Sequence, residues 1–258
     1  MATVRLLGVN IRYSASPAMQ GTAFADLGLA HEYELVDVTA EDLPLAMAAL
    51  RDENVLGANV TLPHKAAVIP FLDELEPLAE RADAVNTIVN RDGRLVGSNT
   101  DIPAIADEIR RVRQAPRQAV VLGAGGAARA VAIALSEIGA AEPVMVSRQM
   151  WPQLTQLLAD ADLLVNATPI GTNSDASPVD QQLLHNGLAV LDLVYRPSPT
   201  RLVHDARACG LEARAGAGVL LGQGWRSLDA WLSISVSDSV KRAMADALSQ
   251  ELGAGADV

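Results

Sequence analysis

The segment Gly57-Ala-Asn-Val-Thr-Leu-Pro-His-Lys65 contains a side chain suited to moving a proton near neutral pH. Of the 20 basic residues only Lys65 and Lys241 are lysines, so a generic need for positive charge is met elsewhere by arginine. An ammonium releases a proton where its site favours that, whereas a guanidinium effectively cannot. Lys65 is therefore a candidate acid/base; the plain alternative is a solvated lysine in the first turn of a helix after Pro63. A second cluster, Ser14-Ala-Ser16-Pro17, follows a short apolar run. Hydroxyls and N–H groups at a strand-to-helix turn suit an anionic ligand, although Ser16 taken alone fits an N-cap with Pro17 at the first helical position. A third, Ala119-Val-Val-Leu-Gly123-Ala124-Gly125-Gly126-Ala127-Ala-Arg129, is an apolar strand running into a glycine turn and an Ala-rich helix. Its Gly123, Gly125 and Ala128 match G-x-G-x-x-G/A, the turn that lets backbone approach a pyrophosphate at a helix N-terminus.

The elements around these clusters alternate. Strands are expected over 4–9, over 31–38, and over 55–62 leading into Lys65, with helices near 17–27, 41–51 and after Lys65, carrying Ala66, Ile69 and Leu72. A further helical piece over 76–83 delivers the strand 84–90, and Asp92-Gly93 marks a hairpin to the return strand 95–101. This pattern gives a mainly parallel α/β layer structure with one antiparallel element. Asp101 stands where the return strand gives way to a helix, Ile102 to about Gln114, and the charged, proline-containing stretch 110–118 marks a domain junction.

After the glycine turn, the second strand of the unit ends at Ser147-Arg148. A hydroxyl and a guanidinium there suit a 2′-phosphate, hence NADP, where an NAD site offers an acid. Between Arg148 and Leu163 there is room for one helix only. A dinucleotide domain short of one strand is the expectation, since each parallel crossover takes a dozen residues or more. The strand 163–168, the strand 188–194, a helix over 200–209, a helix from about Val219 to Leu232 and a last one from about Ser235 to Leu252 complete the chain. The tail 253–258 is expected to be frayed.

The formal charge of −11 argues against general nucleic-acid binding. No apolar run approaches the roughly 20 residues needed to span a bilayer, and the polar N-terminal segment lacks a leader pattern. The single Cys209 excludes an internal disulfide framework, and a cytoplasmic monomer or homodimer is expected. None of the four histidines has a metal-ligand spacing with another His or Cys, so no metal site is expected.

Over nearly its whole length the chain resembles the shikimate dehydrogenase family, which includes quinate/shikimate and amino-shikimate dehydrogenases. The resemblance rests on Ser14-x-Ser16-Pro17, Asn59-x-Thr61-x-x-x-Lys65, Ala84-Val-Asn86-Thr87, Asn99-Thr-Asp101, Gly123-Ala-Gly-Gly-Ala127, Asn166-Ala-Thr168, Asp192-x-x-Tyr195 and Gly216-x-Gly218-x-x-x-x-Gln223. It implies an α/β substrate domain over 1–101, completed by about 224–258, whose last helix packs back on it. It also implies a Rossmann-like NADP domain over 102–223, and an enzyme interconverting 3-dehydroshikimate and shikimate. Lys65 and Asp101 would be the catalytic pair. Ser14, Ser16 and Tyr195 would hold the substrate carboxylate, and Asn59, Thr61, Asn86, Asp101 and Gln223 its ring hydroxyls. Gly123, Ala124, Gly125, Gly126, Ala127, Ser147, Arg148, Thr168, Leu193 and Gly216 would line the cofactor.

Three positions depart from the family pattern. Gln20 stands where a histidine is common, Val219 replaces a methionine near the nicotinamide, and Ser147-Arg148-Gln149 offers a single arginine to the 2′-phosphate. Two rival readings follow: an NAD-dependent quinate/shikimate dehydrogenase, and a shikimate-type binding protein whose abbreviated domain holds the cofactor poorly.

Overall fold

The computed structural model describes residues 1–253 and 258; the expectation for the tail falls mainly on 254–257, outside the described residues. The chain forms two compact units, one of Met1–Thr100 with Gln223–Glu251, the other centred on Asp101–Gly222.

In the first unit β1 (Thr3–Gly8), α1 (Ser16–Asp26), β2 (Glu32–Asp37), α2 (Leu43–Ala48), β3 (Val55–Val60), β4 (Glu74–Leu75), α3 (Pro77–Ala82), β5 (Thr87–Arg91) and β6 (Arg94–Ser98) follow in order. The six strands form one sheet, β2-β1-β3-β5-β6-β4. Only β5 runs against its neighbours, the antiparallel element that the Asp92-Gly93 turn requires, with Gly93 at φ +85°. Strand β3 is buried at five of its six positions. Its Ala58 and Val60 join Leu7, Leu43, Met47, Leu50, Val68 and Ile88 in the core.

Helix α1 starts one residue earlier than expected, at Ser16. Ala15 is its N-cap without a side-chain bond, while the Ser16 N–H donates to Ser14 Oγ at 3.3 Å. The helix expected after Lys65 is a run of turns ending in a 3-10 turn, Ile69–Phe71. Pro70 lacks the N–H that an α-helix there would use.

The second unit comprises α4 (Asp101–Val112), β7 (Ala119–Leu122), α5 (Gly126–Glu137), β8 (Val144–Val146), α6 (Leu154–Leu158), β9 (Leu163–Asn166), β10 (Ala189–Asp192), α7 (Arg201–Ala208) and β11 (Ala213–Arg214). Its five strands are ordered β11-β10-β9-β7-β8 and are all parallel. The chain leaves β8, passes a 3-10 turn and α6, and enters β9 on the far side of β7. Among the described residues no strand flanks β8 on its outer side, as the short interval between Arg148 and Leu163 implies, and β8 is a three-residue edge. Strands β7, β9 and β10 are wholly buried, as parallel strands covered on both faces are. Helix α4 buries Ile102, Ile105, Ile109 and Val112, a spacing of three to four residues that puts them on one face.

Helix α8 (Ala217–Leu232) begins in the second unit and ends in the first, and α9 (Asp238–Leu252) belongs to the first apart from its last residue. Helix α8 starts at Ala217, so Gly218 lies inside its first turn rather than ahead of it. Among the described residues no helix is long and apolar enough to cross a membrane, and no group of His, Cys, Asp and Glu is placed to hold a metal ion.

Candidate active site

Strand β3 and its sequel fix Lys65 by backbone. The Thr61 N–H donates to the Leu7 carbonyl, the His64 N–H closes a turn onto Thr61, and the Lys65 carbonyl accepts from Val85 at 2.8 Å. His64 is buried and its Nε2 lies 2.6 Å from the Val38 carbonyl. A carbonyl only accepts, so that nitrogen carries the proton, and the ring serves as an anchor. Lys65 itself is half-buried.

Beside this segment lies a buried polar network. Asn59 Oδ1 accepts from the Tyr33 hydroxyl at 2.8 Å. Its Nδ2 reaches the Asn86 carbonyl at 3.1 Å, Thr87 Oγ1 at 3.2 Å and Ser227 Oγ at 3.0 Å. Asn86 Oδ1 accepts from the Thr100 N–H at 2.7 Å, and its Nδ2 donates to Thr100 Oγ1 at 2.9 Å. Burial raises the Tyr33 hydroxyl well above its ordinary range, with Ser16 partly opposing through a hydrogen bond. The phenol thus stays protonated and donates to Asn59. Gln20 is buried and donates to the Gly224 carbonyl at 2.9 Å, tying α1 to α8. Gln20, which stands where the resembled family commonly has a histidine, therefore serves the helix on which Gln223 stands.

In the second unit the candidate cofactor residues follow one another along the C-terminal edge of the sheet. Ser147 and Arg148 follow β8, Gly123 follows β7, Thr168 lies beyond β9, Leu193 follows β10 and Gly216 lies beyond β11. Neighbouring ends are joined by backbone bonds: Gly123 to Val146, Ala167 to Leu122, Leu193 to Asn166 and Gly216 to Val194, each at 2.9–3.0 Å. Gly123, at φ +119°, brings its Cα so close to the Ala167 carbonyl that a Cβ would meet the oxygen at 3.1 Å. The N-terminus of α5 has no side-chain cap, and a Cβ on Gly125 or Gly126 would meet nothing within 4 Å. Unfilled space above uncapped N–H groups, where the strand order turns about β7, is what a dinucleotide pyrophosphate fits. Arg148 is exposed beside the end of β8. NADP suits these residues.

Asp192 is buried at the end of β10. Its Oδ1 accepts from Asn166 Nδ2 at 2.8 Å and from the Val194 N–H at 3.0 Å, and its Oδ2 accepts from the Thr200 hydroxyl at 2.7 Å. Burial pushes the carboxyl up to about 6, against the effect of these three donors.

The fold thus brings Ser16, Asn59 and Asn86 into one connected network in the first unit, with Ser14 bonded to the start of α1 and Gln223 bonded through its carbonyl to Ser227 Oγ at 2.9 Å. Asp101, at the start of α4, and Tyr195, beyond β10, belong to the second unit. Sequence reasoning missed Tyr33 and Ser227. The available signal was helical spacing, since Ser227 follows Gln223 by four residues and shares its face.

Comparison with known proteins gives a consistent result. The shikimate dehydrogenase substrate binding domain matches residues 6–88. The shikimate dehydrogenase (NADP(+)) of Symbiobacterium thermophilum is 41% identical over 256 residues, 88% of this chain and 87% of that protein. The fold is similar to that of shikimate 5-dehydrogenase from Thermus thermophilus solved in complex with NADP(H) and shikimate, at TM-score 0.89 and 36% identity, over 98% of this chain and 100% of that one. It is also similar to a 5-ketofructose reductase of Gluconobacter sp. strain CHM43, at TM-score 0.84 and 30% identity, over 96% and 97% of the two chains. The chain belongs to the shikimate dehydrogenase family.

Proposed function

We propose that the protein is an NADP-dependent dehydrogenase interconverting 3-dehydroshikimate and shikimate, in the cytoplasm. The observation that carries the reading is the row of candidate cofactor residues along one sheet edge, in a chain 41% identical to an NADP-dependent shikimate dehydrogenase.

Bound NADP supplies the hydride acceptor and donor, and the protein supplies position and proton transfer. In the oxidising direction Lys65 takes the hydroxyl proton, and Asp101 orients it and stabilises its charged form, as the family pattern pairs them. The three anchors on the Lys65 segment support that role, because a base must be held to act on one hydroxyl. Ser14, Ser16 and Tyr195 take the carboxylate, and Thr61, Asn86 and Gln223 the ring hydroxyls. Asn59 has its amide engaged by Tyr33, Asn86, Thr87 and Ser227, which supports its setting the geometry of those neighbours as well as facing the ligand. Arg148 and Ser147 take the 2′-phosphate.

Measuring NADP reduction with shikimate, quinate and amino-shikimate, and NADPH oxidation with 5-ketofructose, tests the proposal. Shikimate with NADP is expected to give the highest kcat/KM. Folded protein inactive with all of the first three substrates would refute it, and preference for quinate with NAD would select the alternative. Calorimetric binding of shikimate without NADP would mark a binding protein.

A further inference from the structure

We infer that Asp192 is a positioning residue for the nicotinamide half of the cofactor, acting by fixing the sense of the Asn166 amide; the inference rests on the NADP-dependent reading above. An ionised carboxylate can only accept hydrogen bonds. Asn166, paired with Asp192 across β9 and β10, must therefore turn its Nδ2 toward Asp192, 2.8 Å away. Its Oδ1 is thereby left facing the turn beyond β9. That oxygen accepts from the Thr168 N–H at 3.1 Å and from the Thr168 hydroxyl at 2.7 Å, and Thr168 Oγ1 accepts from the Ile170 N–H at 3.2 Å. Asn166 Nδ2 also reaches the Ile170 carbonyl at 3.1 Å. One amide thus holds the 167–170 turn, and the carboxylate holds that amide in the same sense as the Thr168 N–H and the Ile170 carbonyl do.

The order of strand ends places this turn relative to the ligand. With the pyrophosphate at the Gly123 turn and the 2′-phosphate at Arg148, the adenosine half would lie toward β8. The ends of β9, β10 and β11 would then be left to the nicotinamide half. An amide flipped at Asn166 would point two donors at Thr168, whose N–H and hydroxyl would lose their acceptor. Burial works against the Asp192 charge, and a buried ion is a poor route to stability alone. What the carboxylate provides that an apolar residue would not is a single permitted orientation of its neighbour.

The test uses two ligands and calorimetric titration of the full chain. For Asp192→Ala the Kd for NADP is expected to rise about tenfold, while adenosine 2′,5′-bisphosphate, which reaches only the β8 and β7 ends, binds within about twofold of wild type. Asp192→Asn, which keeps an acceptor oxygen toward Asn166, is expected to restore NADP binding to within about threefold. Unchanged NADP binding in Asp192→Ala, or equal weakening of both ligands, would overturn the inference. If Asp192→Ala does not fold, Asp192→Ser makes the same comparison, because a hydroxyl donates as readily as it accepts and leaves the amide sense open. Wild-type protein that binds neither ligand would remove the NADP reading and the inference together, whereas normal wild-type binding with an unaffected Asp192→Ala removes the inference alone.

Discussion

The first unit buries its polar side chains as neutral groups, among them Ser16, Asn59, Asn86, Thr87, Ser98, Asn99, Thr100, Gln223 and Ser227, whereas the second buries the carboxylates Glu108, Asp162, Asp192 and Asp205. Three of those acids face cations: Glu108 meets Arg214 at 2.6 Å and Arg111 at 2.8 Å, Asp205 meets Arg201 at 2.8 Å, and Asp162 has Arg117 at 3.6 Å besides two backbone N–H groups. Asp192 is held by an amide, a hydroxyl and a backbone N–H. A network of neutral amides and hydroxyls suits the hydroxyl-bearing ring proposed as substrate, which it would orient by hydrogen-bond geometry. A network with a buried acid fixes amide orientation and does titrate. The two candidate sites are thus pre-organised by different chemistry.

The first unit's neutrality leaves Lys65 as the one ionisable side chain among its candidate residues. Lys65→Ala is expected to lower kcat about a thousandfold while the Kd for shikimate stays within a few-fold of wild type. A near-normal kcat by NADP reduction would show that the proton is handled elsewhere, and would break the division between a neutral frame and one reacting base.

Glycines sharpen the contrast. Gly57, at φ +153°, carries β3 past β5 so closely that a Cβ would lie 2.0 Å from the Ile88 carbonyl and 2.9 Å from the Trp231 ring. Gly57→Ala is therefore expected to cost more than about 3 kcal/mol of unfolding free energy, measured by denaturant titration. Gly125→Ala, with open space around it, is expected to change stability by under about 1 kcal/mol yet raise the NADP KM at least tenfold through the blocked pyrophosphate. Similar stability costs for the two variants would contradict that assignment of one glycine to packing and the other to the ligand.

Asp192 supplies the expected pH signature of the second unit. Its folded value, about 6, lies above the ordinary 3.8, so folding takes up a proton between these values. The contribution to stability is fully present below about pH 4 and is lost as pH rises through 6, a difference of about 3 kcal/mol. Asp192→Asn removes this titration. The variant's stability relative to wild type should therefore fall by about that amount between pH 7 and pH 4. Parallel stability–pH curves would show that the acid is not buried as described.

What was legible in the sequence follows the same division between local and long-range causes. The apolar runs of β3, β7, β9 and β10, the Asp92-Gly93 hairpin and the glycine turn each declare themselves within a few residues. The missing strand could be counted from the short interval between Arg148 and Leu163. Strands β4 and β11, with two residues each, are too short to show a period. The helix expected after Lys65 failed because Pro70 outweighed the apolar spacing. The networks were invisible for a different reason: Asn59 meets Ser227 across 168 positions, and Tyr33 across 26. Pairings of that kind depend on topology, which no local pattern encodes.

Ser227 is the smallest test and the one most specific to the neutral network. Its hydroxyl donates to the Gln223 carbonyl at 2.9 Å, receives Asn59 Nδ2 at 3.0 Å and lies 2.8 Å from Thr87 Oγ1. Removing it leaves Asn59 Nδ2 with the Asn86 carbonyl and Thr87 Oγ1, and leaves Thr87 with Asn86 Oδ1 at 3.1 Å. Because each partner keeps another bond, Ser227→Ala is expected to cost only about 1 kcal/mol. The groups bonded to Ser227 are amides, hydroxyls and a carbonyl, and the one phenol attached to them, Tyr33, has its hydroxyl raised by burial. The cost should therefore be the same at pH 5 and pH 8. A loss that differs between pH 5 and pH 8 by more than about half of its own size would place a titrating group in contact with the network, and the contrast between a neutral first unit and an acidic second one would no longer hold.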